Sequence, residues 1–393
     1  MSDLERLARE AEEGDAVALT RTLISIPSVN PSLSPDGQGE QAVATRCAGW
    51  LEGWGFDTRL VEVAPGRFNV VATVGSGAPV LLLNGHLDTV GVEGMEGDPF
   101  DPVVSEGRIH GRGSCDMKGG IAAILAAAAA VTGSGGPETG TLVVALTADE
   151  EHASLGMQAL VEEGVRADGA VVCEPTGLAV MPCHKGFVWL DVVFRGVAAH
   201  GSRPEVGVDA VRHAALYVSG LEGIHASLEE AAGHELLGSP SFHVGTIVGG
   251  TAPSVYPAEC RVTLERRTLP GEDVDAAIRP FRDVLDRLGK TQPDVDAELA
   301  VSLVRPGTEV PLDTRVVRKL LAALEREEID PQVAGMTAWV DAAFLNEAGV
   351  PAVCFGPGHI GRAHSAHESV EVEEVRVAAW VLERAVRLFL RPA

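Results

Sequence analysis

Cysteine is sparse and scattered. Cys47, Cys115, Cys173, Cys183, Cys260 and Cys354 are spread over 393 positions, and none forms a Cys-x-x-Cys pair. This excludes a disulfide scaffold and a zinc ribbon, and it suits a reducing compartment. Basic residues are also few: 31 Lys+Arg stand against 56 Asp+Glu, a formal net charge of -25. That balance repels nucleic acid and anionic lipid, so neither nucleic acid nor a membrane is expected as a partner. The longest wholly apolar run, residues 121 to 131, is mostly alanine and far short of the roughly 20 residues that cross a bilayer. The opening MSDLERLAREAEEGDA is charged and has no apolar signal-peptide core, which makes a cytoplasmic location the expectation.

What is present is enough apolar sequence, 46% of the chain, to bury two or three domain cores. Residues 3 to 26 and 40 to 53 carry helical periodicity. The runs at 68 to 75, 79 to 84, 141 to 147 and 169 to 173 are short and β-rich, separated by helical stretches near 117 to 132 and 154 to 163. Near-continuous apolar strands alternating with helices predict an α/β domain whose central sheet is covered by helices, with polar site residues at strand ends. From about 185 the order becomes β-α-β-β-α-β, a self-contained α+β module. Helix, strand and helix then return. The expected organisation is a catalytic domain of residues 1–184 and 304–393, interrupted by an inserted module of residues 185–303.

Five places set metal-binding side chains at a strand end or in a glycine-rich loop. In LLLNGHLDTV, His86 and Asp88 follow an apolar strand, so that one can ligate a metal while the other orients it. In GRGSCDMKGG, Asp116 sits among glycines just before a helix; the spacing does not supply Gly-x-Gly-x-x-Gly, which argues against a dinucleotide loop. A third strand delivers Glu150 and Glu151 together. Adjacent buried carboxylates repel unless a cation or proton separates their roles, as when one coordinates and the other moves protons. Glu174 ends a fourth strand, and GPGHIGRAHSAHESV supplies His359, His364 and His367. Two ions sharing one carboxylate need a bridging Asp and four terminal ligands, a number these groups provide together with a shared water.

These motifs, in this order and over essentially the whole chain, resemble the co-catalytic zinc amidohydrolase and peptidase family of acetylornithine deacetylase, succinyl-diaminopimelate desuccinylase, aminoacylase and glutamate carboxypeptidase. The resemblance implies two divalent ions, zinc first and cobalt or manganese as alternatives. It implies that His86 and Glu174 bind one ion and Glu151 and His364 the other, with Asp116 bridging, Asp88 orienting His86 and Glu150 as general base. His364 is preferred over His367 because the family's last ligand precedes a glutamate by four residues, here Glu368, with Val370 following. The inserted module is implied to be a lid through which the chain forms a homodimer. Its AAHGSRPEVGVDAV resembles the motif whose histidine, here His200, reaches a neighbouring active site to stabilise the reacting carbonyl. VTLERRTLPGED resembles the strand whose arginine, best matched by Arg267 rather than Arg266, binds the substrate carboxylate. Ser254 stands where many relatives have an asparagine, so its reach toward that carboxylate is shorter.

The implied activity is hydrolysis of the amide of a small N-acyl amino acid, with Glu150 taking a proton from water and returning it to the departing amine. A di- or carboxypeptidase or an N-carbamoyl amidohydrolase acting on a short peptide or carbamoyl compound is the alternative on the same centre. A silent binding protein keeping the fold is a third reading; every expected group is nonetheless present.

Overall fold

The computed structural model describes residues 3–391, which divide into two compact units. The first comprises residues up to Pro182, Val310–Ala334 and Val340 onward; the second is Cys183–Glu309 with Gly335–Trp339. The sequence reading draws the inserted module as residues 185–303, without the short return of Gly335–Trp339.

The first unit is built on a mixed sheet. Its strands run in the order Asp57–Ala64, Arg67–Ser76, Gly140–Thr147, Val80–His86, Gly169–Val172, Ala352–Cys354, Val180–His184. Gly140–Thr147, Val80–His86, Gly169–Val172 and Ala352–Cys354 are parallel to one another, and the strands flanking them are antiparallel. The parallel strands are buried almost throughout, as strands covered on both faces must be. The apolar Gly119–Gly133 belongs to the one stretch, Ser114–Gly133, that is long and apolar enough to cross a membrane among the described residues, and it is a core helix, 83% buried. It packs against Ala16–Ile24 and the last helix, Val372–Leu390. Gly120 permits its close approach to the end of the strand Gly169–Val172: a Cβ there would lie 2.1 Å from the Cys173 carbonyl oxygen.

Several strands escaped the sequence reading, and two in the order above show why. Asp57–Ala64 is an edge strand with largely exposed side chains, so its apolar signal is weak. Val180–His184 contains Pro182, which reads as a break. The expected helix over 3 to 26 is two helices, Asp3–Glu12 and Ala16–Ile24, separated at Gly14, where φ is +87°, and restarted by Asp15 capping the Ala18 amide.

The second unit is a four-stranded antiparallel sheet in the order Ser241–Gly249, Glu259–Thr268, Gly186–Arg195, Asp296–Arg305. Helices Ala210–Gly220, Glu222–Glu230 and Val274–Thr291 contribute to a core of Val188, Leu190, Phe194, Tyr217, Phe242 and Phe281. Alternation along Gly186–Arg195 buries one face and leaves Trp189 on the other, 40% exposed.

Candidate metal centre

The parallel strands deliver side chains at their C-terminal ends, where open α/β sheets place their sites. His86 ends its own strand, Glu150 and Glu151 follow Thr147, and Glu174 follows Val172. His86 and Asp116 come together from different segments: His86 Nε2 lies 3.0 Å from Asp116 Oδ1. The other oxygen, Asp116 Oδ2, lies 3.3 Å from His364 Nε2, and that same nitrogen is 3.1 Å from Glu151. His86, Asp116 and Glu151 offer ligand atoms all within 4.8 Å of one another, close enough to hold a metal ion. His359 and His367 do not join them; His359 Nδ1 instead accepts from the Gly361 amide.

Asp116 is held by its neighbourhood. The Glu368 carboxylate accepts from the amides of Gly113 at 3.1 Å and of Cys115 and Asp116 at 3.0 Å, and pairs with the buried Arg112. Lys118 Nζ donates to the Ile26 carbonyl at 2.7 Å. Arg112 and Lys118 are therefore structural, and Cys115 is a buried small residue.

Asp88 supports His86 differently from the sequence expectation. The ring Nδ1 donates to the Asp88 main-chain carbonyl at 3.0 Å, with the carboxylate farther off at 3.6 Å. The carboxylate instead accepts from Asn30 and from the amides of Glu150 and Glu151, at 2.8, 3.1 and 3.2 Å. With its Nδ1 proton engaged, neutral His86 turns the Nε2 lone pair toward a carboxylate oxygen. Lone pairs so placed repel unless a cation or a proton lies between them.

The electrostatics repeat that point. Burial pushes Glu174 up to about 8, with Asp116 adding to the rise, and its Oε1 has no hydrogen-bond partner. Burial also raises Glu150 well above the carboxylate range; His86 opposes this, while Glu174, Asp341 and Glu151 add to it. Burial alone would raise Asp116, but hydrogen bonds from His364 and His86 hold it below its usual range. Hydrogen bonds to Asp116 and Glu151 lift His364 to about 10. More buried carboxylate than cation is gathered here, the imbalance that divalent ions neutralise. The residues present thus fit a metal pair.

Sequence reasoning missed Asn30, Glu40, Arg67, Asp149 and Asp341 in the surroundings of these groups. Asp149, next to Glu150, had the only local signal, yet its φ of +70° cannot be read from composition.

The residues read into the second unit lie at both ends of its sheet. His200 is exposed, 2.8 Å from Ser202 Oγ through Nδ1, and forms a β-bridge with Val255 beside Ser254. Arg267 lies at the opposite end of the strand Glu259–Thr268, half-buried over the Phe187 ring and paired with Glu265 at 2.7 Å. Arg266 is buried and paired with Glu272 at 2.5 Å, which leaves Arg267 as the reachable member.

His86 at a parallel-strand end and His364 from a loop, both against the Asp116 carboxylate, are an arrangement suited to a metal-dependent hydrolase. Comparison with known proteins is consistent with it. The model of peptidase family M20/M25/M40 matches residues 82–388. An acetylornithine deacetylase from Myxococcus xanthus is 33% identical over 349 residues, covering 86% of this chain and 90% of that protein. Among solved structures, a tripeptidase from Staphylococcus aureus superposes with a TM-score of 0.80 at 20% identity, over 97% of this chain and 99% of that one. A dinuclear metal-binding M20 peptidase from Bacillus subtilis gives 0.72 at 18% identity, over 97% and 99%. The chain belongs to peptidase family M20/M25/M40 and is a hydrolase of amide bonds.

Proposed function

We propose that this hydrolase cleaves the amide of a small N-acyl amino acid at a pair of divalent ions held by His86, Asp116, Glu151, Glu174 and His364. The observation that carries the reading is Asp116, whose two oxygens face two different imidazoles at 3.0 and 3.3 Å, as a bridging carboxylate's would. Bound there, two such ions supply Lewis acidity and bring the pKa of a water toward neutrality. Zinc suits the nitrogen and oxygen donors, as do cobalt and manganese. Glu150 takes a proton from water as its oxygen attacks the acyl carbon, and returns it to the amine nitrogen as the C–N bond breaks. Asp88 keeps His86 and the Glu150–Glu151 amides in place. The acetylornithine deacetylase relative supports an acyl amino acid rather than a long peptide.

The second unit is read as the lid. Arg267 binds the substrate carboxylate, Ser254 adds a short hydrogen bond, and His200 stabilises the oxyanion. In one chain, His200 and Ser254 are separated from Arg267 by the strand from Glu259 to Arg267, a rise of about 26 Å. A small substrate held by Arg267 therefore takes its His200 from a second copy, which supports a homodimer. Exposed Ile247 and Val248 on the edge strand Ser241–Gly249 suit its interface. The cysteines are all buried, which suits a cytoplasmic location.

The test is hydrolysis by metal-reconstituted protein of N-acetyl, N-succinyl and N-carbamoyl amino acids and of dipeptides. Preference for N-acyl amino acids is expected. Cleavage of dipeptides alone would replace the reading with a peptidase.

A further inference from the structure

We propose that Arg67, acting with Glu40 and Asn30, is a positioning device for the turn that presents Glu150 and Glu151; the inference rests on the roles proposed above for those two residues. Arg67 opens the strand Arg67–Ser76, and its side chain is 8% exposed. Nε and Nη2 donate to the two oxygens of the buried Glu40 carboxylate at 2.6 and 2.5 Å, and Nη2 also donates to Asp149 Oδ1 at 2.9 Å. Glu40 Oε1 in turn accepts from the Asp149 amide at 3.2 Å. Asp149 is thus gripped by side chain and by backbone.

The grip is needed because Asp149 holds a left-handed backbone, φ +70°, which side-chain-bearing residues seldom adopt without support. Its carbonyl closes the following loop by accepting from the amides of Ala153 and Ser154 at 3.1 and 2.6 Å. Asn30 then joins this clamp to the centre. Its Nδ2 donates to Asp149 Oδ1 at 3.0 Å and to Asp88 Oδ2 at 2.8 Å, and Asp88 is the residue that accepts from the Glu150 and Glu151 amides. An unbroken chain of hydrogen bonds, buried as far as Asp88, runs from Glu40 through Arg67, Asp149, Asn30 and Asp88 to the two glutamates.

A fold needing only stability gains little from such a network. Burying two carboxylates, Glu40 and Asp149, around one guanidinium, with a third, Asp88, reached through Asn30, costs solvation that apolar packing would not. What the network supplies is fixed geometry: a planar fork locks Glu40 and leaves a donor for Asp149, which a lysine's single ammonium cannot reproduce. None of the three positioning residues needs to touch substrate. They act through the direction in which Glu150 and Glu151 leave the strand end.

The test compares wild type with Arg67→Met, Arg67→Lys and Asn30→Ala. It reads kcat and KM separately, Zn2+ affinity of chelator-stripped protein, and hydrogen exchange of the Glu150 and Glu151 amides. Arg67→Met is expected to lose about 10²-fold in kcat with little change in KM, and about 10- to 100-fold in Zn2+ affinity. Exchange at the two amides should accelerate while the core helix Gly119–Gly133 stays protected. Arg67→Lys should recover part of each loss. If Arg67→Met does not fold, Asn30→Ala, which removes the bridge between Asp149 and Asp88 and leaves the Arg67–Glu40 pair intact, carries the same expectation. A folded variant with wild-type exchange and kcat would overturn the inference, as would loss of protection spread evenly over the protein. If wild type neither binds Zn2+ nor cleaves any amide, the proposed function fails instead, and the exchange comparison still decides whether the clamp exists.

Discussion

Glu150 and Glu151 are adjacent yet differ in their contacts. Glu151 faces the His364 ring at 3.1 Å, whereas Glu150 is raised by burial among carboxylates with no histidine hydrogen bond given to it. Burial raises Glu151 as well, so it is the histidine contact that fits the ligand role proposed for Glu151 and the proton-carrier role proposed for Glu150. Glu150→Gln should therefore keep its metal content and lose about 10²- to 10⁴-fold in kcat; metal analysis beside steady-state kinetics checks this, and near wild-type turnover would reassign the base. A different residue contributes to acid sensitivity. His184 is buried, donates through Nδ1 to the Lys185 carbonyl at 3.0 Å, and is pushed down to about 4 by burial. Between about pH 6.5 and pH 4 the unfolded chain binds a proton that the native ring refuses, so stability falls as pH falls through that window, by at most about 3 kcal/mol. His184→Gln should flatten the acid limb of a Tm against pH profile; an unchanged limb would assign it to other groups.

At the scale of elements, the centre depends on how closely the helix Gly119–Gly133 meets the strand end that leads to Glu174. Gly120→Ala inserts a methyl against the Cys173 carbonyl. It should cost about 1 to 3 kcal/mol and weaken metal retention, read by thermal melting and by metal content after dialysis; normal values for both would mean that the helix can shift freely. This scale also separates what could be read from the sequence from what could not. The strands behind His86, Glu150 and Glu174 were legible because burial on both faces leaves continuous apolar runs. Asp57–Ala64 was not, because an exposed edge strand has no such signature. His86, Asp116, Glu151 and His364 stood out as metal-binding residue types in a recognisable order, and they do converge. The Arg67 clamp left no trace, since it joins residues as distant as Asn30 and Asp149, and an arginine opening a strand looks like any solvated cation.

For the whole molecule, the decisive geometry is the length of one strand. His200 and Ser254 lie at the Glu259 end of the second unit's sheet and Arg267 at the other, so under the proposed function one copy of that unit does not bring both ends to one small substrate. If a second copy supplies His200, Glu150→Gln and His200→Ala are defects in different components of a shared site. Each variant alone is expected to be nearly inactive. When the two are mixed and allowed to exchange subunits, half of the dimers are heterodimers, and each of those contains one site with both an intact Glu150 and an intact His200. Activity should then rise to about a quarter of wild type. Val248→Lys, on the exposed edge strand, should block the recovery by keeping the chains apart, with light scattering reporting monomers. A mixture no more active than its parents, in a protein shown to exchange subunits, would mean that His200 serves its own chain or none.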